Sequence, residues 1–200
     1  MPRVSSKDKY TVQVFELFKR YGLSLNMEQI AQELGLTKKT LYNNFTSKQE
    51  LIGTVVSYFY STLEREMTSA IDDSENAIHA MFNVSRVIAI EISKLGETLL
   101  KDMSIYHACD EIFAFTSRGN FYSKFMVENL KRGMAEGLFR STLDMEYTTI
   151  FYNSAIELFY RWDGEFKYFS KAVKFHNELV KHHLYSVVND KGRLILENYM

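Results

Sequence analysis

The sequence predicts an all-α fold, with an N-terminal three-helix unit built around a helix-turn-helix and a larger C-terminal helical domain. Three observations carry this. The single proline is Pro2, so nothing beyond it obligatorily breaks a helix. Apolar residues recur at intervals of three and four rather than two. Where one apolar stripe ends and the next begins stand Ser, Thr, Asn or Gly, the residues that cap helix ends.

Tyr10, Val14, Leu17, Phe18 and Tyr21 form the first stripe, with Glu16, Lys19 and Arg20 off it, predicting a helix over 10–21 that Gly22 ends. Asn26 caps a second helix, Gln29 can return the hydrogen bond, and Leu25 can staple onto Ile30. Its inner face is Ile30, Ala31 and Leu34, and Gly35 closes it. Thr37 caps a third helix with Leu41 and Phe45 one turn apart, facing inward. The capping box Ser47-Lys48-Gln49-Glu50 opens a fourth helix over about 48–70, which links domains placed at 1–50 and 51–200. Asp72-Asp73-Ser74-Glu75 then recaps a fifth helix running through Ile92. Further helices are expected over 97–102, 106–136, 145–162 and 166–187, broken at Gly96, at Gly137 with Ser141 and Thr142, and at Asp163-Gly164, with a final half-helix in the tail 189–196.

Composition removes several functional classes. A chain with 46% hydrophobic and 24% charged residues is not wholly disordered. No apolar run reaches the ~18 residues of a membrane span, and no apolar stretch follows the first residues as in a secretory signal, so a cytoplasmic location is expected. One cysteine, Cys109, excludes an internal disulfide and reads as a buried thiol. His182 and His183, adjacent on a helix, diverge by about 100° and cannot chelate one metal together. There is no Gly-rich phosphate loop, no Gly-x-Ser-x-Gly elbow and no His-Glu-x-x-His, so no catalysis, cofactor or metal is expected.

Charge is distributed unevenly. Residues 1–50 carry eight Lys or Arg against five Asp or Glu, whereas the remainder carries sixteen against twenty. The surplus coincides with a specific constellation. Ala31, Gly35, Leu36, Thr37 and Leu41 form the skeleton of a helix-turn-helix: a small residue lets two helices cross closely, and glycine supplies the turn. Once Leu41 and Phe45 face inward, Lys38, Lys39, Thr40, Tyr42, Asn43 and Asn44 are left outside, and all can bond phosphates or base edges. Such a face suits the major groove of DNA; the plainer reading is a polar surface helix.

The segments from Phe15 to Gly22, from Thr37 to Phe45 and from Ser47 to Leu51 resemble the first, recognition and fourth helices of the TetR family of repressors. Gly133-Met134-Ala135-Glu136-Gly137-Leu138-Phe139-Arg140 is similar to that family's turn before its dimerisation helices. The resemblance implies a DNA-binding transcriptional regulator, a ligand-responsive repressor that meets a pseudo-palindromic operator as a homodimer. Its DNA contacts would fall on Thr37, Lys38, Lys39, Thr40, Tyr42, Asn43, Asn44 and Lys48, with Thr40, Tyr42 and Lys48 on phosphates and Lys38 and Lys39 toward base edges. It further implies a C-terminal ligand-binding and dimerisation domain whose cavity takes a small, mostly apolar inducer, with Phe82, Met103, Phe113, Phe125, Phe151 and Phe159 as candidate lining residues. Tyr147, Ile150, Phe151, Ser154 and Leu158 on one late helix, and Phe166, Phe169, Val173, Leu179 and Val180 on the next, are an excess of apolar positions that can pair with symmetry mates. The family often has a small residue at Lys39 and an aromatic-histidine pair at Asn43 and Asn44, so the operator sequence does not carry over. The competing expectation is a helical adaptor of the same fold that has lost DNA binding.

Overall fold

Side chains that accept the free first-turn amides set the helix starts in the computed structural model, which describes residues 5–105, 121–161 and 169–199. Ser5 caps α1 (Ser6–Tyr21), accepting from the Asp8 amide at 3.1 Å while the Asp8 carboxylate accepts from the Ser5 amide. The helix therefore begins one turn before the predicted 10–21, because its first turn is entirely polar and leaves no trace in the apolar stripe. Asn26 caps α2 (Met27–Glu33), Thr37 caps α3 (Lys38–Asn44) and Ser47 caps α4 (Lys48–Asp72), as expected. The cap of α5 (Ala77–Ser93) is Asn76, which accepts from the His79 amide at 2.9 Å, rather than any of residues 72–75.

α6 (Gly96–Ile105), α7 (Phe121–Ala135), α8 (Met145–Arg161), α9 (Phe169–Val187) and α10 (Asp190–Leu196) complete the chain, ending in a short 3-10 turn at Glu197–Tyr199. Among the described residues the fold is all-α, with one isolated antiparallel bridge between Phe139 and Val188. No described helix is long and apolar enough to cross a membrane. Residues 106–120 of the predicted 106–136 helix, including Cys109 and Phe113, lie outside the described residues, as do 162 and 166–168.

α4 spans 25 residues, about 37 Å at 1.5 Å per residue. Its buried residues Leu51, Val55, Phe59, Leu63 and Met67 repeat every four positions, so one stripe runs its full length. α4 packs against both α1 and α5, with Phe15 of α1 against Phe59 of the stripe. α5 is the hub of the larger part, touching α4, α7, α9 and α10. Its first turn is held by α7: Glu136 accepts from the Ala77 amide at 2.8 Å, Asn129 donates to the Ala77 carbonyl at 3.1 Å, and Arg132 donates to the Ser74 carbonyl at 2.7 Å. The Glu136 carboxylate also suits the positive end of the helix dipole.

The three-helix head is tied to the rest by the Gly22-Leu23 turn. The Leu23 amide donates to Asp102 Oδ2 on α6 at 2.6 Å, and the Leu23 carbonyl accepts from Lys48 Nζ at the start of α4 at 2.5 Å. Gly22 adopts φ +69°, ψ −161°, a conformation open essentially to glycine alone, and a Cβ there would stand 2.1 Å from Asp102 Oδ2. Gly22→Ala should therefore destabilise the chain by about 1–3 kcal/mol, through backbone strain and displacement of the carboxylate. An unchanged urea midpoint would show that this turn tolerates a side chain.

Within the body, α7, α8 and α9 enclose polar groups. The Tyr122 hydroxyl donates to that of Tyr152 at 3.2 Å, and the His183 ring lies 4.6 Å from the Tyr152 ring. Burial pushes both His176 and His183 down to about 4. They are neutral in the folded chain, whereas in the unfolded chain they protonate near pH 6.5. Between those values the unfolded state binds more protons, so stability is complete above about pH 6.5 and declines as pH falls toward about 4. Urea midpoints should drop between about pH 7.5 and about pH 5, and drop less in His176→Gln and His183→Gln. An equal drop in both variants would assign the acid lability to other groups.

Candidate nucleic-acid interface

The geometry of α2 and α3 follows from a few fixed points. Asn26 Oδ1 accepts from the Glu28 and Gln29 amides, both at 3.0 Å, and Gln29 Oε1 accepts from the Asn26 amide at 2.8 Å. At the far end Gly35, at φ +64°, turns the chain so that the Leu36 amide meets the Ala31 carbonyl at 2.8 Å. Thr37 Oγ1 then accepts from the Thr40 amide at 3.1 Å and starts α3. Leu41 and Phe45 are fully buried, each contributing about 2 kcal/mol of apolar burial, and they fix the rotation of the helix.

That rotation exposes Lys38, Lys39, Tyr42 and Asn43, with Thr40 and Asn44 half-buried at the edges. The expected residues 37–44 are thus brought onto one continuous face. Their side chains are not equally available. Lys39 has no carboxylate partner among the described residues. Lys38 is paired with Glu28 of α2, and that hydrogen bond and charge raise the lysine and lower the glutamate from their ordinary values. The Asn44 amide donates back to the Thr40 carbonyl at 2.8 Å. The Thr37 hydroxyl is engaged in the cap and lies 2.8 Å from that of Thr40.

Lys48 stands apart from the face. It is half-buried, and its ammonium is bonded to the Leu23 carbonyl, so it braces the α1–α2 turn. Its neighbour Glu50 completes the cap of α4 differently from a reciprocal box: Ser47 accepts from the Glu50 amide, whereas the Glu50 carboxylate accepts from the Thr46 amide and hydroxyl, both at 2.7 Å. Lys7 of α1 adds an ion pair at 2.7 Å, and these contacts, Lys7 foremost, hold Glu50 down at about 2. Lys7, Glu28 and Asp102 all shape the interface and none was singled out from the sequence. Glu28 and Lys38 are ten residues apart and meet because the helices cross; Asp102 is 79 residues from Leu23 and leaves no local signal.

The candidate ligand residues are not gathered together. Phe125 is buried in the core beside Tyr122, whereas Phe82 is half-buried and stacks on Tyr199. Phe151 is 80% exposed, so within one chain it lines no cavity, contrary to its expected place. Its helical spacing is the same as that of a core residue, but the face of α8 that carries it has no neighbour among the described residues. Met103 lies on α6 and Phe159 on α8, where the backbone alone is described, and Phe113 lies outside the described residues. Among the described residues no three His, Cys, Asp or Glu side chains group as a metal site; His182 is exposed and His183 buried, pointing apart.

Comparison with known proteins converges on the same segment. The family model for bacterial regulatory proteins of the tetR family matches residues 15–55. The HTH-type transcriptional repressor KstR2 of Rhodococcus jostii (strain RHA1) is 26% identical over 151 residues, 73% of this chain and 74% of that protein. The HTH-type regulator YvaF of Bacillus subtilis (strain 168) is 28% identical over 96 residues, 48% of this chain and 50% of its own. Among solved structures, a transcriptional regulator from Cytophaga hutchinsonii shares the fold with a TM-score of 0.72 at 15% identity, covering 91% of this chain and 98% of its own. The ketosteroid transcriptional regulator KstR2 of Mycobacterium tuberculosis has a TM-score of 0.57 at 21% identity, covering 94% and 98%. With a helix-turn-helix capped, turned and buried as described above, residues 15–55 match the tetR-family model, and the chain as a whole is similar to transcriptional regulators of that fold.

Proposed function

We propose that the chain is a ligand-responsive transcriptional repressor that binds a pseudo-palindromic operator as a homodimer in the cytoplasm. The observation that carries this is the outward face of α3, where burial of Leu41 and Phe45 leaves a continuous row of hydrogen-bonding side chains that includes Lys39, which has no carboxylate partner among the described residues. In this reading residues 1–50 read DNA and residues 51–200 dimerise and bind the inducer, with α4 shared between them. Thr40 and Tyr42 hold phosphates, Lys48 contributes positive charge while bracing the turn, and Lys38, Lys39, Asn43 and Asn44 approach base edges. Thr37 acts through its backbone and cap.

Dimerisation is supported by α8. Tyr147 is 72% exposed, Ile150 37% and Phe151 80%, and with Ser154 they occupy positions i, i+3, i+4 and i+7 of one face. A solvent-facing stripe of this size on a helix is ordinarily covered by another molecule, and two copies related by two-fold symmetry would pair it with itself. Reading heads so related would meet half-sites about 34–36 Å apart. A small, mostly apolar inducer in the body would then act by altering that spacing through α4 and α6, both of which touch the head. KstR2 of Mycobacterium tuberculosis, described as a ketosteroid regulator, is consistent with an apolar ligand class.

Genomic footprinting with the purified chain should reveal paired half-sites, and absence of any protected sequence would remove the repressor reading. On the operator so found, Lys39→Ala should reduce discrimination against scrambled DNA by about 5- to 150-fold, the equivalent of about 1–3 kcal/mol. Tyr42→Phe should instead weaken operator and scrambled DNA alike, because a phosphate contact carries no base information. An unaltered preference in the lysine variant would place base reading elsewhere. Phe151→Glu should convert the dimer to monomer in sedimentation with helicity intact, and a persistent dimer would put the interface on another face.

A further inference from the structure

A groove of about 720 Å³ opens on the outside of the body between α5 and α9. Its two ends differ in chemistry. At one end Tyr199 of the terminal turn lies nearly parallel to Phe82, with ring centres 5.3 Å apart and planes at 19°, and its ring reaches His79 at 5.5 Å. These three rings make an aromatic shelf, Tyr199 lying over Phe82 and His79. Along the walls stand Arg86 from α5 and Lys174, Glu178 and Lys181 from α9, with Asn177 between the two lysines.

The cations are not neutralised equally. Lys181 bonds Glu178 one turn earlier at 3.2 Å. Arg86 meets the Asn83 side-chain oxygen at 3.5 Å, and among the described residues neither Arg86 nor Lys174 has a carboxylate partner. Among the described residues, two helices thus present two positive charges without a carboxylate partner to one cleft, which has an aromatic shelf at its end and side-chain amides in its walls. Like charges facing a shared cleft disfavour each other, and an anion between them removes that penalty while gaining charge-assisted hydrogen bonds. Flat apolar bodies stack on the face of an aromatic pair, and a guanidinium forks onto a planar oxyanion.

We propose that this groove is a binding site for an organic anion with a flat apolar body, its ring system on Phe82 and Tyr199 and its carboxylate, sulfonate or phosphate held by Arg86 and Lys174. The site lies on the outer surface, apart from the core around Phe125, and its existence does not depend on DNA binding by the head. Its position along α5 and the chain's final turn sets it on the hub helix of the body.

The probe is 1-anilinonaphthalene-8-sulfonate, an aromatic sulfonate, compared with the neutral N-phenyl-1-naphthylamine, which keeps the ring system and lacks the anion. Fluorescence and calorimetric titration of the full chain should give one sulfonate site per protomer. Arg86→Glu and Lys174→Glu, both at exposed positions, should each weaken the sulfonate at least about tenfold and leave the neutral probe unchanged. Tyr199→Ala should weaken both probes. Circular dichroism and urea midpoints of the variants verify that the fold persists. Sulfonate affinity unchanged in a folded Arg86→Glu/Lys174→Glu double variant would overturn the proposal, since the probe would then be in an apolar interior rather than in this groove. Equal loss of both probes in the charge variants would also overturn it, because the anion would not be what the cations recognise.

Discussion

The peptide groups of Leu23 are the point on which the relation of head to body depends. Its amide is held by a carboxylate on α6 and its carbonyl by an ammonium on α4, so the turn between α1 and α2 is gripped from two helices. Both bonds involve a charged partner, the stronger kind of hydrogen bond. Because the helix-turn-helix hangs from this turn, the direction in which α3 faces is set relative to α4 and α6 together. One contact alone would leave a hinge. Two contacts to opposite sides of one residue leave little freedom, and Gly22 is required so that the Asp102 carboxylate can come close enough to form the first. In the proposed repressor, a shift of α6 would move the head directly, without passing through the whole length of α4.

The reading face itself is electrostatically modest. Lys38 is paired with Glu28, both fully exposed, and such surface pairs contribute little net stability. In the proposed DNA complex, exchanging Glu28 for a DNA acceptor would therefore be inexpensive, and the pair holds the lysine on the outer side of the α2–α3 crossing. Lys39, without a carboxylate, needs no exchange. The surplus of three positive charges over residues 1–50 would be a weak attractor if spread evenly. Two of those lysines instead stand at the N-terminal turn of α3, where the helix dipole already favours an anion.

Local features of this fold are written openly in the sequence. Asn26, Thr37 and Ser47 cap the helices they were expected to cap, Gly22 and Gly35 end the ones they were expected to end, and Leu41 and Phe45 turn α3 as their spacing requires. Each depends on residues within a turn or so of one another. Legibility fails where partners are remote in sequence. Ser5 was hidden because its helix starts polar, and Asn76 because an acidic run beside it is an equally good cap on paper. Asp102, Glu28 and the Lys48–Leu23 bond are invisible without the crossing of helices that creates them.

The body shows the same limit in another form. Phe125 and Phe151 sit at comparable positions in comparable amphipathic stripes, yet one is 6% exposed and the other 80%. Periodicity identifies a face, and a face is satisfied equally by the chain's own core, by a bound molecule or by a second protomer. What separates these outcomes is the number of neighbours that α7 and α8 each have. α7 lies between α5 and α8 and so buries its stripe twice over, whereas α8 is an outer helix with α7 and α9 behind it and an apolar row in front. Burial on the inner side is already met by Tyr152 and Ile156, so the outer row is surplus to the monomer's core. Apolar surface left over after a core is complete needs a partner, and in the proposed homodimer the same helix of a second copy would supply it.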